Sequence, residues 1–299
     1  MYSLKLAYFH YDILVSNALL LACHINSVTT VSMQERTISS LWETGLIYDH
    51  YFIAGEGFKE IMEKRDYAIQ HYHVVGMPRN KYIVEPHAKG KYQKYIDIKA
   101  KGLKLVVCFD IPPLNYFFEG LESETPSKKC IFDFYLSLIK LAEEFQDLYI
   151  VVKPKIQYTF ANIFDKNTKA KVKSLNNFEV ITDLKKYSPY VLAYYSDLII
   201  GKHTSIMEEA FSVGKKIIFY DSEKYLTSTT HVVNNINIIV DNYNDLKKRV
   251  IDVMMLDQYI KSNEWEKFNR HFFQADSQQN GFGLIKQNLS EIYAGLELE

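Results

Sequence analysis

The residues best suited to chemistry lie between Ser196 and Tyr225, which read S-D-L-I-I-G-K-H-T-S-I-M-E-E-A-F-S-V-G-K-K-I-I-F-Y-D-S-E-K-Y. Thr204 and Ser205 are short hydroxyl residues of the kind that open a helix, and Glu208 and Glu209 follow within its first turn. At such an opening the first backbone N–H groups have no helical partner and the helix dipole favours an anion. A phosphate can therefore approach across the small side chains. A carboxylate one turn in, Glu208 or Glu209, can accept hydrogen bonds from a ribose diol. His203, in the same turn, can donate to a phosphate oxygen or act as an acid. Together these residues describe a nucleotide-diphosphate site. The alternative is a capped helix with a solvated acidic first turn and a turn histidine without chemistry.

These residues need elements to hold them. Residues 198–200 form a short apolar run suited to a buried parallel strand, and 217–220 form another. Between them Ile206, Ala210 and Val213 mark one helical face, and Gly214 stands where a C-terminal cap belongs. Strand, turn, short helix and strand make one βαβ unit, which implies a parallel sheet. In an open parallel sheet ligands bind beyond the carboxyl ends of the strands. Strong strand signals recur at 103–109, which ends in Asp110-Ile111-Pro112-Pro113, and at 148–152, which ends in Lys153-Pro154-Lys155. A helix with Ile131, Phe134, Leu138, Leu141 and Phe145 inward lies between those two strands. Further along, 178–182 and 237–240 read as strands, and 189–195 and 243–256 as helices.

The N-terminal part reads as a strand or helix start at 4–9, a helix at 13–23 and a strand at 28–32. A loop with Met33-Gln34-Glu35-Arg36 follows, then a helix near 39–43, a strand at 49–54, a helix at 58–64 and a strand at 73–75. Residues 89–102 are polar and lysine-rich, a linker with some helix. Helical signals at 265–273 and 284–296 close the chain.

With these residues on the page, a resemblance can be stated. Asp197–Glu209 resembles the donor-binding segment of GT-B glycosyltransferases, especially the CDP-glycerol glycerophosphotransferase and teichoic-acid polymerase group. That group reads D-(two hydrophobics)-I-T-D-Y-S-S-x-x-x-(D/E), then K-P-(two hydrophobics)-F-Y, which Lys215–Tyr220 follows. Lys202 replaces the family Asp, Lys216 replaces the Pro, and Asp221 follows Tyr220 with no spacer. The T-S-I-M-E-E-A core is also similar to the S-G-G-x-x-E-E-A segment of UDP-GlcNAc 2-epimerases, which share the fold. Upstream, Asp49-His50-Tyr51-Phe52-Ile53 and Gly76-Met77-Pro78-Arg79 resemble two N-terminal motifs of the group. Gln34-Glu35-Arg36 stands where that group has Gln-His-Gly.

The resemblance implies an α/β fold, GT-B-like, with two Rossmann-like lobes built on parallel sheets. Only roughly 95 residues precede the second lobe where an ordinary domain needs about 150, so the N-terminal lobe is expected to be short or truncated. The division expected is 1–95 for the acceptor side, 96–275 for the nucleotide-donor domain, and 276–299 for a helix crossing back to the first lobe. It also implies site residues. Asp110 lies in the loop that faces the cleft, and Asp221 borders the donor. Lys153-Pro154 occupies the place of a family His-Pro, where a lysine neutralises a diphosphate as a point charge but is no neutral-pH acid/base. The alternative for Lys153 is a solvated surface lysine. Glu35 takes the place of a proposed catalytic histidine, the alternative being a surface acid in a loop. The candidate catalytic residues are thus Glu35, Lys153 and His203. The donor-binding set is Asp110, Lys153, His203, Thr204, Ser205, Glu208, Glu209 and Asp221.

Composition bounds the rest. The chain has 299 residues, 47% of them apolar, and a formal net charge of −1, which gives no reason to expect a nucleic-acid partner. Its Cys23, Cys108 and Cys130 have unrelated spacings, which points to a reducing compartment. No apolar span of membrane length, P-loop, G-x-S-x-G elbow, HExxH pair or D-x-D occurs, so no metal and no cofactor are expected. The expected function is metal-independent transfer of a glycosyl or polyol-phosphate group from a CDP- or UDP-linked donor to a glycan or lipid-linked acceptor. Its setting would be cell-surface polysaccharide assembly, in the cytoplasm or at the inner face of the membrane. Two alternatives stay open: an isomerase resembling UDP-GlcNAc 2-epimerase, and a catalytically silent nucleotide-binding or scaffold protein.

Overall fold

A computed structural model describes residues 4–10, 12, 15–34, 46–64, 67–84, 90–111, 127–157, 159–202, 204–224, 238–254, 263–274 and 280–298. The candidates Glu35 and His203, the helix expected near 39–43 and the Pro112-Pro113 turn lie outside the described residues. The chain divides into two compact units, Met1–Lys81 with Glu266–Glu299, and Tyr82–Trp265.

The first unit is a four-stranded parallel sheet in the order β1-β2-β3-β4, formed by Leu6–Phe9, Thr29–Met33, Ile47–Ile53 and Ala68–Val74. The helices α1 (Asn17–Ile25) and α2 (Glu56–Glu63) connect its strands. β3 is the interior strand that carries most of the core, since Tyr48, Tyr51, Phe52 and Ile53 are all fully buried. β4 is an edge strand with an exposed or half-buried pattern, as its polar run Gln70-His71 suits. The tail returns to this unit: α11 (Asn263–Phe273) sets Phe272 and Phe273 against Phe58 of α2. Gly55 and Gly57 make that approach possible, because a Cβ on either would fall 2.4 Å from Phe272. The last helix, α12 (Gly281–Leu298), packs Leu284, Ile285, Leu289 and Ile292 on Val31, Met33, Phe52 and Val75.

The second unit begins within α3 (Lys81–Val84) and continues through α4 (Gln93–Ala100). The stretch that reads as a linker is thus a packed helix. Its lysines hide a face on which Tyr92, Tyr95 and Ile98 are buried, and the first unit's N-terminal part ends at Lys81, before this stretch. A six-stranded, all-parallel sheet follows in the order β10-β9-β8-β5-β6-β7. The strands are Lys104–Phe109, Leu148–Lys153, Phe178–Val180, Leu198–Gly201, Ile217–Tyr220 and Ile239–Val240, for β5 to β10. Val106, Val107, Ile150, Val151, Ile199, Ile200, Ile217 and Ile218 are all fully buried. Uninterrupted apolar runs are what a sheet covered on both faces requires. The covering helices are α5 (Lys128–Glu144), α6 (Thr159–Ile163), α7 (Lys166–Ser174), α8 (Pro189–Tyr195), α9 (Ser205–Ser212) and α10 (Tyr243–Met254).

β5 leads outward to β6 and β7, and the chain then returns to lay β8 on the other side of β5. The order reverses between β5 and β8. In doubly wound sheets this switch point leaves a crevice at the carboxyl ends of the strands.

Candidate functional site

β8, α9 and β9 form the βαβ unit that the sequence outlines, with Ile199 paired to Ile217 and Gly201 to Phe219. Gly201 ends β8 where the chain passes closest to β5. An added Cβ there would lie 2.7 Å from Met207 Sδ and 3.0 Å from the carbonyl oxygen of Phe109. Thr204 takes the extended N-cap conformation (φ −152°, ψ 143°), yet its hydroxyl makes no capping hydrogen bond. Thr204 and Ser205 are half-buried. α9 ends in a Schellman motif: Gly214 at φ +78° donates to Phe211 O, and Lys215 N donates to Ala210 O. The helix is therefore closed at its C-terminal end, while its N-terminus lies uncapped by a side chain at the strand ends beside the switch point.

Glu208 and Glu209 are each only 1% exposed. They are not the solvated first turn that capping alone would produce; everything from Ile206 to Ser212 is buried. Asp110, at the end of β5, is also buried, and both its oxygens are held by protein. Tyr135 Oη donates to Oδ2 at 2.7 Å and Lys155 N to Oδ1 at 2.6 Å. Burial pushes its pKa up, against the pull of those two donors and the Lys155 charge. Lys153, at the end of β6, is 9% exposed and donates to Leu184 O at 2.9 Å. It is thus not a solvated surface lysine, and burial lowers its pKa. Asp221 is buried just past β9, with its N–H bonded to Val240 O.

Lys202 and Cys130 form a contact that sequence reasoning did not single out. Lys202, 5% exposed, donates to Cys130 Sγ, which also lies 3.0 Å from Ser222 Oγ. The same ammonium stands 5.8 Å from the centre of the Tyr220 ring. The contact joins the turn after β8, the start of α5 and the turn after β9, and so stiffens the carboxyl end of the sheet. Tyr135 was missed as well, although it lies four residues after Ile131 on the inward stripe of α5. No motif marked Lys202 as buried.

The arrangement thus brings Thr204 and Ser205 to an open helix start beside the switch point. Asp110, Lys153 and Asp221 ring the same strand ends, with Glu208 and Glu209 behind. Among the described residues, no group of three His, Cys, Asp or Glu side chains is placed to hold a metal ion. No described helix is long and apolar enough to cross a membrane.

Neither the family models nor the curated proteins contain a match to the chain. Solved structures do match. The chain is similar to the S. aureus MnaA–UDP co-structure with a TM-score of 0.65 and 15% identity, covering 99% of this chain and 77% of that one. It is similar to UDP-GlcNAc 2-epimerase from Neisseria meningitidis bound to UDP-GlcNAc, with a TM-score of 0.57 and 13% identity, covering 96% and 76%. A structure of the wall teichoic acid polymerase TagF matches with a TM-score of 0.55 and 15% identity, covering 91% and 70%. At these identities the likeness is one of fold. The chain has two parallel-sheet units and a GT-B-like, Rossmann-type fold.

Proposed function

We propose that the second unit binds a nucleotide-activated donor at its switch point. On this reading the chain transfers a glycosyl or polyol-phosphate group from that donor during cell-surface polysaccharide assembly. The observation that carries the proposal is the half-buried start of α9 at the carboxyl end of β8, next to β5 where the strand order reverses. Backbone N–H groups and the hydroxyls of Thr204 and Ser205 hold the diphosphate, and Glu209 takes the ribose. Lys153 supplies positive charge against the leaving group. His203 and Glu35 remain candidates for proton transfer. The MnaA and Neisseria structures carry UDP and UDP-GlcNAc and one TagF structure carries CDPG, which supports a pyrimidine-nucleotide donor.

The test is calorimetric titration with UDP, CDP and GDP, followed by turnover of UDP-GlcNAc with and without a glycan acceptor. Binding of one base with acceptor-dependent consumption is the expected result. A second reading is isomerisation of the sugar nucleotide, favoured by the higher TM-scores of the 2-epimerase structures over TagF. Conversion of UDP-GlcNAc without any acceptor would select it. No binding of any of the three nucleotides would sink both and leave a silent scaffold.

A further inference from the structure

We propose that a three-histidine cluster in the first unit makes the seating of helix α12 on its sheet dependent on pH. His50 on β3 lies directly opposite His71 on β4, and Phe52 opposite His73, so all four side chains share one face of the sheet. The His50 ring stacks on His71 with centroids 4.9 Å apart, and its Nδ1 lies 3.0 Å from His73 Nε2. The His73 ring meets the edge of Phe52 at 5.5 Å. Phe52 belongs to the apolar cluster with Val31, Met33, Val75 and Ile285 against which Leu284, Leu289 and Ile292 of α12 also pack. From the same helix Asn288 hydrogen-bonds His73, and Glu291 lies near it.

The hydrogen-bond roles follow from the donors available. Asn288 Nδ2 donates to Leu284 O at 2.8 Å, so its Oδ1 is the atom left to accept from His73. We assign the His73 proton to Nδ1, toward Asn288, so that its Nε2 accepts from His50 Nδ1–H. A proton added to His73 Nε2 would set two N–H donors against each other at 3.0 Å. The ring must then turn, and it cannot do so without disturbing Phe52 on the sheet and its contact with Asn288 of α12. A second charge anywhere in the cluster adds repulsion between stacked rings.

The charged neighbours pull in both directions. Burial, then His73 and His71, push His50 down to about 4, while Asp49 on β3 opposes them. Burial and His71 lower His73, while Asn288 and Glu291 oppose. Asp49 is itself engaged by Gln70 Nε2 at 3.0 Å and by Thr30, with His24 3.9 Å away. Burial and the neighbouring rings hold His50 and His73 below the ordinary imidazole range, so a state with the rings freed binds more protons, and seating is complete above about pH 6.5 and weakens as pH falls toward 4.

Hydrogen exchange on the full chain at pH 7.5 and 5.0, corrected for intrinsic rates, tests this. α12 should open more at pH 5.0 than at 7.5, by up to about tenfold after solvent screening where release frees the His50 ring. Peptides from β5 should not change, and the double variant His50→Gln, His73→Gln should lose the pH effect. Equal α12 protection at both pH values would overturn the proposal. So would an unchanged pH effect in the double variant, or exchange rising equally across β1, β2 and β3. If that variant does not fold, histidine-ring NMR of the native chain decides. A His50 ring neutral down to about pH 5 supports the proposal, and a midpoint near 6.5 overturns it.

Discussion

Tyr135 donates to Asp110 across 2.7 Å, and this bond ties α5 to the end of β5 at the mouth of the candidate site. The other carboxylate oxygen takes the Lys155 N–H, so one buried aspartate holds the ends of β5 and β6 together. Tyr135→Phe removes one of its two named donors and leaves a buried carboxylate oxygen without that partner. A loss of about 1–3 kcal/mol is expected, which corresponds to several degrees in the melting temperature of a unit this size. Nucleotide affinity should change little if Asp110 is a structural clamp. A tenfold loss of affinity at unchanged stability would instead make Asp110 a ligand contact.

Ser205→Ala and Glu209→Ala address the donor site itself. Each should weaken nucleotide binding at least roughly tenfold, about 1.4 kcal/mol. Unchanged affinity by calorimetry in both variants would remove the start of α9 from the site. Because Glu209 is 1% exposed, its variant also needs a melting curve, so that lost binding is not mistaken for lost folding.

Much of this region was legible in the sequence because local rules and the fold agree there. The apolar runs at 198–200 and 217–220 and the Gly214 stop each carry their own signal and the structure uses them, and Thr204 takes the N-cap position although its hydroxyl does not cap. What could not be read was burial of charge. Nothing local distinguishes Lys153, Lys202, Glu208 and Glu209 from surface residues, because their burial depends on long-range partners such as Leu184 and Cys130. The 89–102 stretch misled for a related reason. Its many lysines mask the three apolar side chains that pack, Tyr92, Tyr95 and Ile98.

Gly201→Ala tests the close approach of β8 and β5. The new methyl would meet Met207 Sδ, which can swing away, and the Phe109 carbonyl, which cannot. Overpacking of this kind costs about 1–3 kcal/mol. Urea unfolding should show a lower midpoint at unchanged slope. A variant as stable as the parent would mean that the strand ends shift freely.

Lys215 provides a pH test in the second unit. Its ammonium donates to Tyr194 O at 2.6 Å and Ser196 O at 3.3 Å. Burial first, and the Lys99 charge second, bring its pKa down to about 8, with Asp197 opposing. In the unfolded chain a lysine stays protonated to about pH 10.4. Between these values the unfolded state binds more protons, so the stability contributed by Lys215 is present above the upper value and lost as pH falls through 8. Unfolding free energy should therefore rise from pH 8 to 9.5, a range in which tyrosines and cysteines titrate equally in the parent and in the Lys215→Met variant. Lys215→Met should flatten that rise, because the titrating group is gone, even though two carbonyls lose a donor and overall stability drops. Urea midpoints at pH 7.5, 8.5 and 9.5 for both proteins would measure it, and parallel pH curves would show that Lys215 is charged throughout.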